Sequence, residues 1–336
     1  MRDWGVMVAA VLLVASFAVM VAGALVFTNA VEWLGLRLDL GHAAVGSVLA
    51  GVATAMPESL IPVVAIIGGR QGDEIAIGAI IGAPFLLATL AMAVSGGAAL
   101  AYATRRASPR LQPARQATSR DLLVVVCALS FGIAVGLIGA PALRFVGAAL
   151  LLATYGVVTW KTIHRARQEG AGAEPARLYF STARDDQPRL FQVLAQTLLS
   201  LALLVGAAQL FVTSVEHLAH GLGVDELMLT LIIAPLATEL PEKLNSVLWV
   251  RQGKDTLAVG NITGAMVFQT MPIVAFGMIF TDWRLTAPSL LAMLIALAGA
   301  ALSLITLRRP GGWPVPLIGC WASLYVAGIA SIIATA

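Results

Sequence analysis

The chain has 336 residues, 59% of them hydrophobic and only 12% charged, with a mean hydropathy of +0.89. A soluble domain carries roughly twice that charged fraction, so the composition excludes an ordinary soluble domain and describes a polytopic membrane protein. Cys127 and Cys320, both in apolar runs, support neither a disulfide framework nor a four-ligand metal site; the net charge of +3 says less than where the charges lie.

The first apolar run, "WGVMVAAVLLVASFAVMVAGALVF", exceeds the roughly 7–15 residues of a signal-peptide core and reads as a first transmembrane helix. Runs long enough to cross about 30 Å of hydrocarbon follow. They fall at approximately 5–27, 43–67, 73–101, 121–140 and 143–162, then at 189–213, 225–250, 255–280, 287–306 and 313–334. The predicted fold is therefore an all-α polytopic membrane protein with ten transmembrane helices. Residues 1–162 form one five-helix half and 189–336 the other, joined by a polar linker at 163–188 that reads as a solvated cytoplasmic loop, not a nucleic-acid patch.

Loops after odd-numbered spans hold sixteen of the 21 Lys and Arg residues, against four on the opposite side (Arg2, Arg70, Arg144 and Arg284). The positive-inside rule then places the odd loops in the cytoplasm and both termini outside. Lys243, inside a span, is left over.

The halves repeat each other. At an offset of 184, Glu32 meets Glu216, Ala53-Thr54 meets Ala237-Thr238, and Pro57-Glu58 meets Pro241-Glu242. Past a short loop the offset becomes 182, pairing Asp73 with Asp255, Gly78 with Gly260, and Gly82-Ala83 with Gly264-Ala265. Five spans per half is an odd number, so the second copy must be inverted. Inverted repeats with broken helices around a shared midplane site are the pattern of secondary transporters.

Pro57 and Pro241 each remove a backbone hydrogen bond inside a span and displace a carbonyl. In lipid such carbonyls must line a cavity or find another partner, and a buried carboxylate must hold a cation or a proton. Carbonyls around Gly51–Thr54 and Pro235–Thr238, with Glu58 and Glu242, predict an all-oxygen midplane site suited to a hard cation such as Ca²⁺.

At these residues the chain resembles the cation/Ca²⁺ exchanger superfamily, which includes the sodium/calcium exchangers. "TAMPE" (54–58) and "TELPE" (238–242) are similar to the Thr-Ser-x-Pro-Glu core of its alpha repeats, here about 27–95 and 211–277. "LAVGNITGAMVFQ" (257–269) is similar to the Gly-Asn-x-x-Gly-Ser-Asn-x-x-(Asn/Asp) segment, and "IAIGAIIGAPFLL" (75–87) is a more worn copy. On that resemblance Glu58 and Glu242 match the two central Ca²⁺-binding glutamates, and Thr54 and Thr238 the carbonyl-donating threonines. Gly51 and Pro235 fall where further backbone carbonyls are offered.

The departures bear on the ion. Ala55 and Glu239 replace the serine of the core, Ala83 and Ala265 replace the segment serines, and Leu87 and Gln269 stand where Asn or Asp is usual. Losing both segment hydroxyls weakens Na⁺ coupling, while Glu239 and Glu242, three residues apart, would crowd like charges and favour a held proton. The resemblance implies a secondary antiporter exchanging Ca²⁺ for Na⁺ by alternating access, with spans 1 and 6 moving against the bundle. Alternatives are H⁺-coupled exchange of Ca²⁺ or another cation, or a transport-degenerate cation-binding paralogue. The expected metal-site residues are Glu58, Glu242, Thr54, Thr238, Glu239, Gln269 and Gly51.

No span carries a nucleophile–base pair, so no enzyme and no cofactor are expected. The expected partners are the lipid bilayer and small inorganic cations, in the plasma or inner membrane; the sequence leaves the oligomeric state open, a monomer being compatible with it. Glu32 and Glu216 recur near what reads as the cytoplasmic ends of spans 1 and 6, as interfacial anchors or, less favoured, guards of a cation path. Glu216, His217 and His220 resemble a metal cluster on paper but lack a further ligand in sequence.

Overall fold

The computed structural model describes residues 5–37, 56–68, 72–106, 108–169, 177–181, 188–307 and 311–335. Within its helices the side chains of 56, 57, 72, 163, 165–169, 237 and 240–245 lie outside that description. The described chain is helical, and its single strand-like pairing is the isolated bridge between Leu111 and Trp313. In lipid a helix satisfies its backbone internally, which is why apolar runs of this length take that form.

The first half contains α1 (Val6–Arg37), α2 (Met56–Gly68), α3 (Gly72–Leu86), α4 (Met92–Ala101), α5 (Arg115–Ile138) and α6 (Pro141–Glu169). The second contains α7 (Leu190–Leu222), α8 (Glu226–Arg251), α9 (Asp255–Phe268), α10 (Val274–Phe280), α11 (Ala287–Leu307) and α12 (Pro316–Thr335). Among the described residues eight helical stretches are long and apolar enough to cross a membrane, and two shorter apolar helices cover Glu58–Gly68 and Glu226–Leu236. Their ends follow local chemistry. Gly139 (φ 66°) and Gly223 (φ 67°) close α5 and α7 in the left-handed conformation that glycine adopts without strain. Asp225 caps α8 by accepting the Met228 N–H at 3.0 Å.

Two π-helical turns interrupt the α geometry. Leu87–Ala91 joins α3 to α4, and Gln269–Ile273 joins α9 to α10. Their first residues are 182 positions apart, the offset that aligns the two halves in sequence. At the second proline–glutamate frame the expected break is absent, and the residues leading into the first lie outside the described residues. α8 is helical across both Pro235 and Pro241, because a proline removes a single N–H and neighbouring helices can accept the freed carbonyl. Pro235 leaves the Leu231 carbonyl without its helical partner, and that oxygen faces Gly82 of α3. A Cβ at Gly82 would lie 2.5 Å from it, so only glycine permits the approach. Gly78 faces Leu227 and Leu231 in the same way. Residue numbers rise together along this seam, so α3 and α8 run parallel.

α1 and α7 form the most extensive helix pair. Val6 lies beside Gly221, Phe17 stacks on Phe211 (centroids 5.2 Å apart), Gly23 meets Leu204, and Asn29 bonds Gln196. The numbers run in opposite senses, so the pair is antiparallel. Glu32 and Glu216 therefore stand at opposite ends of it, correcting the expectation that both mark cytoplasmic ends: an inverted copy carries an equivalent residue to the other face. With α2, the start of α3 and Ala234 of α8, this pair builds one apolar cluster, and the remaining helices build another.

Buried polar ties hold the connections. Arg106, after α4, clasps Asp255 at the start of α9 through two N–H···O bonds of 2.7 Å and also donates to the Val250 carbonyl. Gln112 N–H adds a third bond to Asp255, at 2.8 Å. Gln196 of α7 donates to Asn29 at 3.0 Å and to the Val26 carbonyl at 2.9 Å, and accepts the Phe180 N–H at 2.9 Å. The segment at the end of the linker is thereby strapped across α1 and α7.

Candidate cation-binding site

α2 begins at Met56 and carries Glu58 in its first turn, where the helix dipole favours a carboxylate. Ile61 and Ala65, on the buried side of the same helix, belong to the apolar cluster shared with α3 and α7. That packing draws Glu58 inward to 5% exposure. Of its sequence neighbours, Gly51 and Thr54 lie outside the described residues.

On α8, Thr238 is buried and its hydroxyl donates to the Ala234 carbonyl at 3.1 Å. This ties down the side chain between the two prolines, a back-bond of the kind that bends helices slightly. Glu239, in the place of the expected serine, is 1% exposed. A carboxylate at that depth has exchanged water for whatever the interior offers, which favours a bound cation or proton. Glu242 lies one residue after Pro241 on the same helix, and its side chain, like that of Lys243, falls outside the described residues.

Gln269 opens the second π turn and is 1% exposed, and neither its Oε1 nor its Nε2 has a hydrogen-bond partner. Leaving a buried amide unsatisfied costs about 1–3 kcal/mol, and π turns concentrate at functional sites. Its repeat mate Leu87, fully buried, opens the first π turn with no polar atom to offer. Of the other departures, Ala83 is buried beside Gly82 on α3.

These residues converge by way of α3. α2 touches α8 directly, and α3 packs against α2, α8 and the π turn of Gln269. Glu58 and Glu239 thus sit on contacting helices, with Gln269 on an element that shares α3 with both. Among the described residues no group of three or more His, Cys, Asp and Glu is close enough to hold a metal, which leaves Glu216, His217 and His220 without the geometry of a zinc centre. A hard cation at the described residues could draw on backbone carbonyls and the Gln269 amide oxygen beside the carboxylates.

Sequence reasoning missed two polar residues of α8. Glu226 is 8% exposed and Thr230 fully buried, and Glu226 Oε2 and Thr230 Oγ1 have no hydrogen-bond partner. Their spacing of four residues, at the head of a span that carries Glu239 further on, was the available signal.

A family model described as sodium/calcium exchanger protein matches residues 8–163 and 193–334. The putative antiporter CaxA of Alkalimonas amylolytica is 31% identical over 126 residues, which cover 35% of this chain. That match spans 40% of the relative's own length. Among solved structures, the H⁺/Ca²⁺ exchanger CAX superposes with a TM-score of 0.70 at 16% identity, covering 97% of this chain and 87% of that one. Native YfkE gives 0.69 at 15% identity, covering 98% and 93%. The sodium-calcium exchanger NCX_Mj gives 0.58 at 17%, covering 97% and 99%. At such identities these three likenesses speak to the fold, which is that of the exchangers. With the family model matched along both halves, the chain belongs to the sodium/calcium exchanger protein family.

Proposed function

We propose that this integral membrane protein is a secondary cation antiporter, exchanging Ca²⁺ for Na⁺ by alternating access around a buried site. The observation that carries the reading is the burial of Glu58 and Glu239 on contacting helices of a chain in this family. Glu58 and Glu242 would supply the principal charges. Thr54, Thr238 and Gly51 would add oxygens, and Glu239 and Gln269 would set the preference among cations.

The architecture in this reading is two inverted halves, 1–162 and 189–336, with the linker 163–188 in the cytoplasm and both termini outside the plasma or inner membrane. The eight long apolar stretches and two shorter ones support ten spans. The matched π turns and the antiparallel α1–α7 pair support the inversion. The α1–α7 pair would move against the other helices to expose the site to one side and then the other.

One observation favours a second reading, H⁺ coupling. An additional acid, Glu239, is buried at the serine position, and Ala83 and Ala265 remove the hydroxyls on which Na⁺ coupling relies in the resembled family. Uptake of radiolabelled Ca²⁺ into proteoliposomes under an imposed Na⁺ gradient, then under an H⁺ gradient, separates the two. Absence of uptake under both, with folded protein, would sink the Ca²⁺ antiporter reading altogether. Within it, Glu242→Gln is expected to abolish uptake and leave the melting temperature unchanged; unaltered flux would reduce the proline–glutamate frame to a helix kink.

A further inference from the structure

We propose that the head of the α3–α8 seam is an electrostatic entrance that gathers hydrated divalent cations for the buried site, built by Glu226 and Glu74 with Glu216 beside them. The proposal rests on the antiporter reading and adds to it a second place where the cation is handled.

The geometry begins with the glycines. Gly78 and Gly82 bring α3 onto Leu227, Thr230, Leu231 and Pro235 of α8, and the two helices run parallel. Glu74 precedes Gly78 by four residues and Glu226 precedes Thr230 by four. One helical turn separates each acid from the contact, so both stand at the same end of the same seam. Glu216, Glu74 and Asp225 all lie near enough to act electrostatically on Glu226. Asp73 extends the acidic face toward Asp282, which is itself paired with Arg144 at 3.2 Å.

This is more than a solvated charged rim. Glu226 is 8% exposed, and its Oε2 is removed from solvent with no hydrogen-bond partner. Among the described residues the charged groups acting on it are all acids. Asp225 is itself an acid, and its carboxylate caps the helix at Met228. Arg144 is engaged by Asp282 at 3.2 Å and by the Thr281 carbonyl. A buried acid ringed by acids calls for a positive charge from outside the chain. Below it on α8 come the unpartnered hydroxyl of Thr230, the Leu231 carbonyl that Pro235 frees, and then Glu239. At 1.5 Å per residue the thirteen residues from Glu226 to Glu239 place the entrance about 20 Å along the helix from the depth of the buried acids.

The described acids do not close into a three-ligand cage. The entrance therefore acts through its field on a hydrated ion, raising its local concentration rather than binding it tightly. Such a field is screened by salt, with a Debye length of about 30 Å at 0.01 M and about 8 Å at 0.15 M.

The test measures initial Ca²⁺ uptake by the full-length protein in proteoliposomes, at low and at physiological ionic strength. Glu226→Gln and Glu74→Gln are each expected to raise KM for Ca²⁺ about threefold or more at low salt, with Vmax within about twofold of wild type, and the difference should shrink at physiological salt. An unchanged KM at low salt, or a fall confined to Vmax, overturns the proposal. A binding measurement keeps it separate from the antiporter reading. Purified Glu58→Gln protein should retain weak, salt-sensitive Ca²⁺ binding that adding Glu226→Gln diminishes. Residual binding indifferent to Glu226→Gln overturns the entrance whatever the flux. Such binding in a chain without Ca²⁺ flux would uphold it and remove only the antiporter reading.

Discussion

The close contact of α3 with α8 at Gly82 offers the sharpest test of how the site is held. At Gly82 a Cβ would meet the Leu231 carbonyl oxygen and the Pro235 Cγ, both at 2.5 Å. Neither is the free end of a flexible side chain: one belongs to the backbone and the other to a ring fixed on it. Comfortable separations begin near 3.5 Å, so Gly82→Ala must part α3 from α8 by about 1 Å at this level. Overpacking of this kind costs about 1–3 kcal/mol. The displaced contact also includes the Leu231 carbonyl, which loses its helical N–H partner to Pro235. Gly97, on α4, is the control, since a Cβ there meets nothing within 4 Å. Gly97→Ala should hold or raise stability, because alanine exceeds glycine in helix preference by about 1 kcal/mol. Thermal unfolding of the detergent-purified proteins reads the stability, and Ca²⁺ uptake in proteoliposomes reads the site. The expected result is a lower melting temperature and slower uptake for Gly82→Ala alone. If the two variants match wild type in both measurements, the tight seam does not exist and the reasoning built on it fails.

Three further changes probe other parts of the scaffold. Arg106→Ala leaves Asp255 buried without its cation, and should destabilise the protein by about 3–5 kcal/mol; Arg106→Lys should rescue only part of this, since one ammonium cannot replace a two-pronged contact. Melting curves of the two variants check both statements. Gln269→Leu removes an amide that has no partner and should raise the melting temperature, by up to about 1–3 kcal/mol of stability. The same variant should lower the apparent affinity for Ca²⁺, and a rise in stability with unchanged affinity would take Gln269 out of the site. Gln196→Leu breaks the bonds to Asn29, Val26 and Phe180 and should speed proteolytic cleavage near residues 177–181 without unfolding the bundle.

Much of the plan was legible because lipid leaves a sequence few options. Apolar runs pointed to membrane-crossing helices, and the two matched proline–glutamate frames pointed to Glu58 and Glu242; Glu58 is buried, as is Glu239 in the serine position, while the Glu242 side chain lies outside the described residues. The parts that were not legible depend on register and distance. Nothing local in Leu87–Ala91 announces a π turn, since each of its residues suits an α-helix as well. Gln269 with Pro272 three residues on was the only hint in the other copy. A proline predicts a lost hydrogen bond, but whether the helix breaks depends on what faces the freed carbonyl, and for Pro235 that is Gly82, more than 150 positions away in the chain. The bond between Asn29 and Gln196 joins residues 167 positions apart, and no pattern within either helix foretells it.

The polar ties and the apolar clusters together restrict how the protein can move. α1 and α7 share one apolar cluster and a buried amide contact, Gln196 to Asn29, that no water can replace without opening the pair. The strap at residues 177–181 is bonded to both helices, through Asn29 on one side and Gln196 on the other. Sliding α1 along α7 would therefore break several buried hydrogen bonds at once, whereas moving the two as a unit breaks none of them. Against α2, α3 and α8 the same pair presents mostly apolar side chains, whose contacts are non-directional and can be exchanged for one another at small cost. The stiff joint lies inside the α1–α7 pair and the compliant one between it and the helices that carry Glu58 and Glu239. That distribution suits the proposed alternating access, in which the α1–α7 pair would move as a rigid unit while the helices that carry the site stay locked through Gly78 and Gly82.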